Sequence, residues 1–315
     1  MIDVHAHLVA LPTPTNGCRM SRRMMRSPAV WTVALRDRLP LSDPEAANRR
    51  YLEQLLRRLG DSERVSRAVV LAMDGVYDGA GELDEERTDL LISNDYAFQV
   101  AEAHPSLIAG ASVHPGRKDA LDELERCASK GAALIKWLPN AQAFDPADAR
   151  FRGFYRALAR LGMPLLSHVG FEFSIIGNDQ SVGDPERLVP ALEDGVNVIA
   201  AHACSSGVLF ERHFGTMLDL AKRFPNFYAY VSALSLPNRV GALLKLRRHP
   251  ELFDRLLFGT DYPLPCFSYP ALLACSWKGF LSAAEAKNPF DRMARVLEAV
   301  GVKTGADFQS IRHRR

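Results

Sequence analysis

The stretch IDVHAHL, residues 2–8, begins with a short apolar run that ends on two histidines. Its counterpart near the other end is LLFGTDYPL, residues 256–264, an apolar run that ends on Asp261. Both read as strands whose last residues carry chemistry. Between them, apolar runs recur at 67–73, 107–113, 132–138, 163–169, 197–203 and 226–231. Longer amphipathic stretches alternate with them: 46–59, 90–103, 119–129, 151–161, 185–192, 209–224 and 239–248, with 269–283 and 289–300 after the last run. In 46–59, for instance, Tyr51, Leu52, Leu55, Leu56 and Leu59 form one helical stripe. Near-continuous apolar strands alternating with helices indicate a parallel sheet covered on both faces. Eight such units favour closure, so the expectation is an α/β chain folded as a (β/α)8 TIM barrel. No Gly-, Ser- or Pro-rich linker divides the sequence, and residues 1–315 are read as a single domain. Two connections are long, 9–44 after the first strand and 170–184 after the fifth. Both belong to the barrel face where the strands end and active sites are built.

Composition excludes several classes. The 315 residues carry a net charge of +2, too near neutral to suggest a nucleic-acid partner. No run approaches the roughly 20 apolar residues of a membrane span. The first residues lack a basic region followed by an apolar one, so no signal peptide is expected. The five cysteines form no CxxC pair and read as reduced thiols, which suits a cytoplasmic protein. A chain of this length buries a large core without a disulfide or structural metal. Charge is uneven: from Arg19 to Arg58 there are ten arginines and four acids. These form either a solvated helical face or an anion-attracting lip, with Arg22, Arg23 and Arg26 as the candidates to seat a substrate carboxylate.

The candidate chemistry follows from position. His5 and His7 are two apart on a strand and share one face. His168, His202 and Asp261 fall at the ends of the fifth, sixth and eighth runs. A polar group at the end of a barrel strand reads as catalytic, whereas one at the start reads as stability. Imidazoles and a carboxylate converging on one mouth make a metal shell with a position left for water: His5, His7, His168 and Asp261. Lys136 ends the fourth run; it either pairs with a neighbouring acid or receives a substrate carboxylate. His114, ending the third, touches substrate or plays a structural part beside Pro115. Glu172, Asn178 and Asp179 in the second long connection are candidate substrate contacts. Asp3 is placed to support a ligand histidine from behind. Asp74 and Ser232, at the ends of the second and seventh runs, rank lower, and Tyr262 is read as packing.

These segments, with LLSHVG at 165–170, VIAAHACSSG at 198–207 and GASVHPGR at 110–117, resemble the amidohydrolase superfamily over nearly the whole chain. Within it they are most similar to the branch of aminocarboxymuconate-semialdehyde decarboxylase and the pyrone-dicarboxylate lactonases. The motifs are specific to the superfamily but not to one reaction. The resemblance implies metal binding by His5, His7 and His168. It implies that Asp261 both contacts the metal and moves a proton, and that His202 orients water or polarises the scissile group. It also implies that a carbamylated Lys136 would bridge two ions; one ion without that bridge is the expectation here.

The leading expectation is hydrolysis of a C–N or C–O bond (amide, lactone or ester) in a small anionic substrate by metal-activated water. A divalent ion, zinc first, lowers the pKa of its water to about 7. The alternative is metal-dependent non-oxidative decarboxylation of a small unsaturated or aromatic acid. A further class is a non-catalytic metal- or ligand-binding barrel, against which the full set of expected ligands argues. The donor set does not separate zinc from manganese, iron or cobalt. A homodimer is the default assembly because two-fold oligomers are the commonest.

Overall fold

The structure, a computed structural model, describes residues 1–177, 179–208 and 210–313. Eight parallel strands alternate with helices: β1 Ile2–His7, β2 Arg67–Leu71, β3 Leu107–Gly110, β4 Ile135–Trp137, β5 Leu165–Ser167, β6 Val198–Ala200, β7 Phe227–Tyr230 and β8 Leu256–Leu257. Strands β1 to β3 pair in order, as do β4 to β8. Two seams close the ring. Ala111 bridges Ile135 between β3 and β4, and Ala6 bridges Tyr262 just past β8. Backbone bonds from Val4 N to Phe258 O (3.0 Å), Asp261 N to His5 O (3.0 Å) and His7 N to Tyr262 O (2.7 Å) complete the second seam. The chain is therefore a TIM barrel, with β1 sandwiched between β2 and β8.

The strands are short and almost wholly buried because helices cover their outer faces while side chains fill the interior. One apolar cluster runs from Val4 on β1 through Val69, Ile135, Leu165, Ile199 and Phe227 to Leu257 on β8. The five cysteines are free thiols, four of them buried. No helix among the described residues is long and apolar enough to cross a membrane.

The connection after β1 is more ordered than its sequence suggests. It holds α1 (Arg22–Met25) and α2 (Pro28–Asp37) before α3 (Pro44–Gly60) returns along the barrel. Each begins on a residue suited to the N-cap: Ser21, Ser27 and Asp43 accept from Met24 N, Val30 N and Ala46 N respectively. Proline stands in the first turn of α2 and α3, where its missing N–H costs nothing. Residues 19–20 also pair antiparallel with 90–91, so the expected helix from 90 starts only at Asn94, capped by Ser93. The expected helix 269–283 is broken into Pro270–Leu273 and Trp277–Glu285, with Cys275 at a left-handed φ of 60° between them.

Candidate active site

The ends of β1, β4, β5, β6 and β8 surround the floor of a cavity that opens to solvent. His5, His7, Lys136, His168, Glu172, His202 and Asp261 all line it. His5 Nε2 and His7 Nε2 stand 2.9 Å apart, His7 Nε2 is 2.9 Å from Asp261 Oδ1, and His5 Nε2 is 3.3 Å from the same oxygen. These separations form a nearly equilateral triangle. Donors bound to one tetrahedral zinc at 2.0–2.1 Å would stand about 3.3 Å apart, so the triangle fits one face of such a shell. His5, His7 and Asp261 thus form a candidate metal site.

Backbone geometry places the carboxylate. Asp261 adopts φ 65°, and His202, Ala203 and Cys204 also have positive φ, of 52°, 47° and 54°. Left-handed backbone is unfavourable for non-glycine residues and concentrates at functional sites. Asp3 fixes the same corner: Oδ1 accepts from His5 N (2.8 Å) and Thr260 N (3.2 Å), and Oδ2 accepts from Thr260 Oγ1 (2.5 Å). Asp3 therefore supports the backbone of the site rather than an imidazole ring, as the sequence had suggested. Its burial pushes the carboxyl up to about 7, against the bonds from Thr260 and His5.

The other two histidines complete the floor. His168 lies outside the tight triangle, edge-on to His202 with ring centroids 5.1 Å apart. Its Nδ1 is 3.5 Å from Glu172 Oε2, while its buried Nε2 has no hydrogen-bond partner among the described residues. His202 Nδ1 lies 3.2 Å from Ser232 O and 3.0 Å from Ser232 Oγ, and 3.8 Å from Asp261 Oδ2. A proton on Nδ1, donated to the carbonyl, would leave Nε2 as an acceptor. Burial, then neighbouring positive charge, holds His5, His168 and His202 well below the usual imidazole value. Lys136 is fully buried and its Nζ also lacks a hydrogen-bond partner among the described residues. Burial pushes its ammonium down to about 8, opposed by Asp261 and Glu172.

Orphaned buried polar atoms cost about 1–3 kcal/mol each. His5 Nδ1, Lys136 Nζ and His168 Nε2 all belong to this one chamber. Two bare imidazole donors, a carboxylate and unmatched polar atoms around one void suit a cation and a polar ligand, and the residues fit the metal that the sequence led us to expect.

Other expectations are corrected. Arg22 and Arg23 do not line the cavity. α1 turns Met24 inward and leaves both arginines exposed, with Arg23 paired to the buried Asp89. Arg26 is likewise exposed. His114 also lies outside the cavity. Its Nε2 meets Gln142 O at 3.1 Å and its Nδ1 accepts from Gly116 N at 3.0 Å, so both ring nitrogens are used structurally. Asp74 accepts from His114 N, Gly75 N and Tyr77 Oη and pairs with Arg117. Asp179 is exposed and bonds Ser181 N, and Asn178 lies outside the described residues. Tyr262 packs as expected, stacked on Phe290.

Sequence reasoning missed two supporting residues. Arg239 is buried among the loops that follow β5 and β6, donating to Ser205 O and Phe171 O, and it is a leading source of the positive field on His168 and His202. Tyr51, on α3, donates to His7 O at 2.7 Å. An arginine at the start of an expected helix and a tyrosine in a helical stripe give no local signal of such roles.

Comparison with known proteins agrees with this architecture. Among proteins of curated function, none matches the sequence. Among solved structures, an uncharacterized TIM-barrel protein from Bordetella bronchiseptica is 18% identical, covering 95% of this chain and 99% of its own, with a TM-score of 0.60. A probable 2-pyrone-4,6-dicarboxylic acid hydrolase from Acinetobacter baumannii, with citric acid bound, is 13% identical over 95% of this chain and 91% of its own, TM-score 0.56. A 2,6-dihydroxybenzoate decarboxylase in complex with 2,6-dihydroxybenzoate is 14% identical over 96% of this chain and 100% of its own, TM-score 0.52. At such identities the likeness is one of fold. The amidohydrolase family model, however, matches residues 2–289, from the first residue of β1 to beyond the barrel's closing seam, and the chain belongs to the amidohydrolase family.

Proposed function

We propose that the chain is a metal-dependent hydrolase that cleaves a C–N or C–O bond of a small molecule with activated water. The observation that carries this reading is the convergence of His5 Nε2, His7 Nε2 and Asp261 Oδ1 within 2.9–3.3 Å at the mouth of the barrel. His5, His7 and Asp261 would hold one divalent ion, zinc by its preference for this donor set, with His168 Nε2 as the further ligand across the floor. Such an ion supplies Lewis acidity, polarising a carbonyl oxygen and making water acidic enough to ionise near pH 7.

The protein groups then divide the remaining work. Asp261 faces the two histidines through Oδ1, which leaves Oδ2 to accept a proton from water and return it to the leaving group. His202, pinned through Nδ1 at Ser232, orients that water through Nε2. Lys136 and Glu172 contact the substrate head.

Decarboxylation is the second reading, and a specific observation favours it. The Lys136 ammonium lines the floor without a bonded carboxylate among the described residues and would seat one from a substrate. Proteins with the same fold include a probable hydrolase and a decarboxylase, so the fold does not choose between them.

The test is elemental analysis of protein purified without added metal, beside His5→Ala and His168→Ala. About one equivalent of a transition metal, lost in His5→Ala, is expected. Protein that neither retains nor regains metal would overturn the reading. With metal in place, release of carbon dioxide from small acids, without hydrolysis of lactones, esters or amides, would put decarboxylation first.

A further inference from the structure

The cavity is divided chemically. Its histidines, Lys136 and Asp261 lie on the floor formed by the strand ends, with Glu172 just past β5. The wall above is built by the connection after β1 and presents Met20, Met24, Val30, Val33, Leu39 and Leu41. The two polar side chains that the wall and adjoining α3 contribute are already committed. Asn48 exchanges two bonds with the Leu11 backbone, at 2.7 and 2.9 Å, and the Tyr51 hydroxyl is bonded to His7 O. The arginines of this segment are turned elsewhere: Arg23 to Asp89, and Arg36 and Arg58 to Asp37. The wall therefore offers a ligand surface to pack on and nothing to hydrogen-bond.

We infer that the substrate joins one reacting polar head, seated on the floor, to an uncharged hydrocarbon arm lying along Met24, Val30, Val33, Leu39 and Leu41, and that molecules with a second charged group at the arm's far end are selected against. The assignment of the head rests on the function proposed above; the assignment of the arm rests on the wall. Burying each methylene against such a surface strengthens binding by about threefold to fourfold. A charge in the same place loses water without gaining a partner. The wall thus sorts substrates by the arm, while the floor acts on the head.

The test uses titration calorimetry of the protein as purified, with its metal content measured on the same sample. The probes are acetate, butanoate, hexanoate and octanoate, and suberate as the dicarboxylate matched to octanoate. Affinity is expected to climb with each added methylene, so that octanoate binds at least thirtyfold tighter than butanoate. Suberate is expected to bind at least tenfold more weakly than octanoate. Val33→Asp should lower the octanoate-to-acetate affinity ratio tenfold or more, and Leu41→Gln, beyond the end of α2, should lower it in the same direction should the first variant misfold. Equal affinities along the series, or suberate binding as tightly as octanoate, would overturn the inference. So would a ratio unchanged in both variants. A methylene ladder in protein that holds no metal would sustain the arm and sink the metal reading; bound metal without a ladder would do the reverse.

Discussion

At the scale of single residues, the groups behind the site matter as much as those in it. Asp3 holds His5 N, Thr260 N and Thr260 Oγ1, tying the first strand to the loop that carries Asp261. Asp3→Ala would leave two buried N–H groups unpaired, partly offset by relief of a buried carboxyl. A net loss of about 1–3 kcal/mol is expected in urea unfolding at pH 7, and an unchanged midpoint would refute the tie. His114 gives a pH-dependent counterpart. Burial, with Arg117 beside it, pushes its imidazole down to about 4, despite the bond to Gln142 O. Its folded value lies below the unfolded one, so its contribution is whole above about pH 6.5 and is lost as pH falls toward 4. Wild type should lose about 2 kcal/mol more than His114→Phe between pH 6.5 and 5; parallel losses in the two proteins would show that His114 does not titrate this way. His5, His7, His202 and Asp261 were legible in the sequence because each ends an apolar run, and a barrel gathers its strand ends at one mouth. The same logic misplaced His114, which also ends a run but is drawn aside by Gln142 and Gly116. Arg239 was illegible because its role arises from bonds to the loops after β5 and β6, which are distant from it in sequence.

At the scale of elements, the connection after β1 decides what the cavity can hold. The strands were legible because they are covered on both faces and so read as unbroken apolar runs. The connection was read as a long loop because α1 is only four residues long, and the pairing of 19–20 with 90–91 joins segments some 70 residues apart. Asp37 holds α2 in place: its buried carboxylate takes Arg36 from its own helix and Arg58 from α3, and Arg58 also reaches the Tyr262 hydroxyl. Burial alone would raise the Asp37 carboxyl, but hydrogen bonds from Arg36 and Arg58 overcome that and hold it below the usual carboxylate range. Removing one partner of such a cluster strands the others. Asp37→Ala should therefore loosen α2 without melting the barrel. Amide hydrogen exchange over residues 28–37 is expected to quicken at least tenfold while β4 to β7 stay protected. Exchange that is unchanged in α2, or faster everywhere, would assign Asp37 a different part.

At the scale of the whole molecule, the barrel and its candidate metal site are energetically separable. The apolar cluster spans all eight strands, and the closing seam between β1 and β8 is carried by three backbone bonds and by Asp3, with the His5, His7 and Asp261 side chains meeting only at its mouth. A metal bound only by the folded state would add to stability by mass action, about 4 kcal/mol at a free concentration 1,000-fold above its dissociation constant. For a chain of this size each kcal/mol moves the melting temperature by roughly 2 °C. Chelation followed by desalting should accordingly lower the melting temperature by about 5–10 °C. The far-ultraviolet circular dichroism at 25 °C should stay the same, and restored metal should recover the difference. Collapse of the dichroism on chelation would mean that the ion holds the fold together, against a core that closes without it. A melting temperature indifferent to chelation and to added metal would mean that the triangle of His5, His7 and Asp261 binds no ion, and that the polar floor recognises its ligand through Lys136 and the histidines alone.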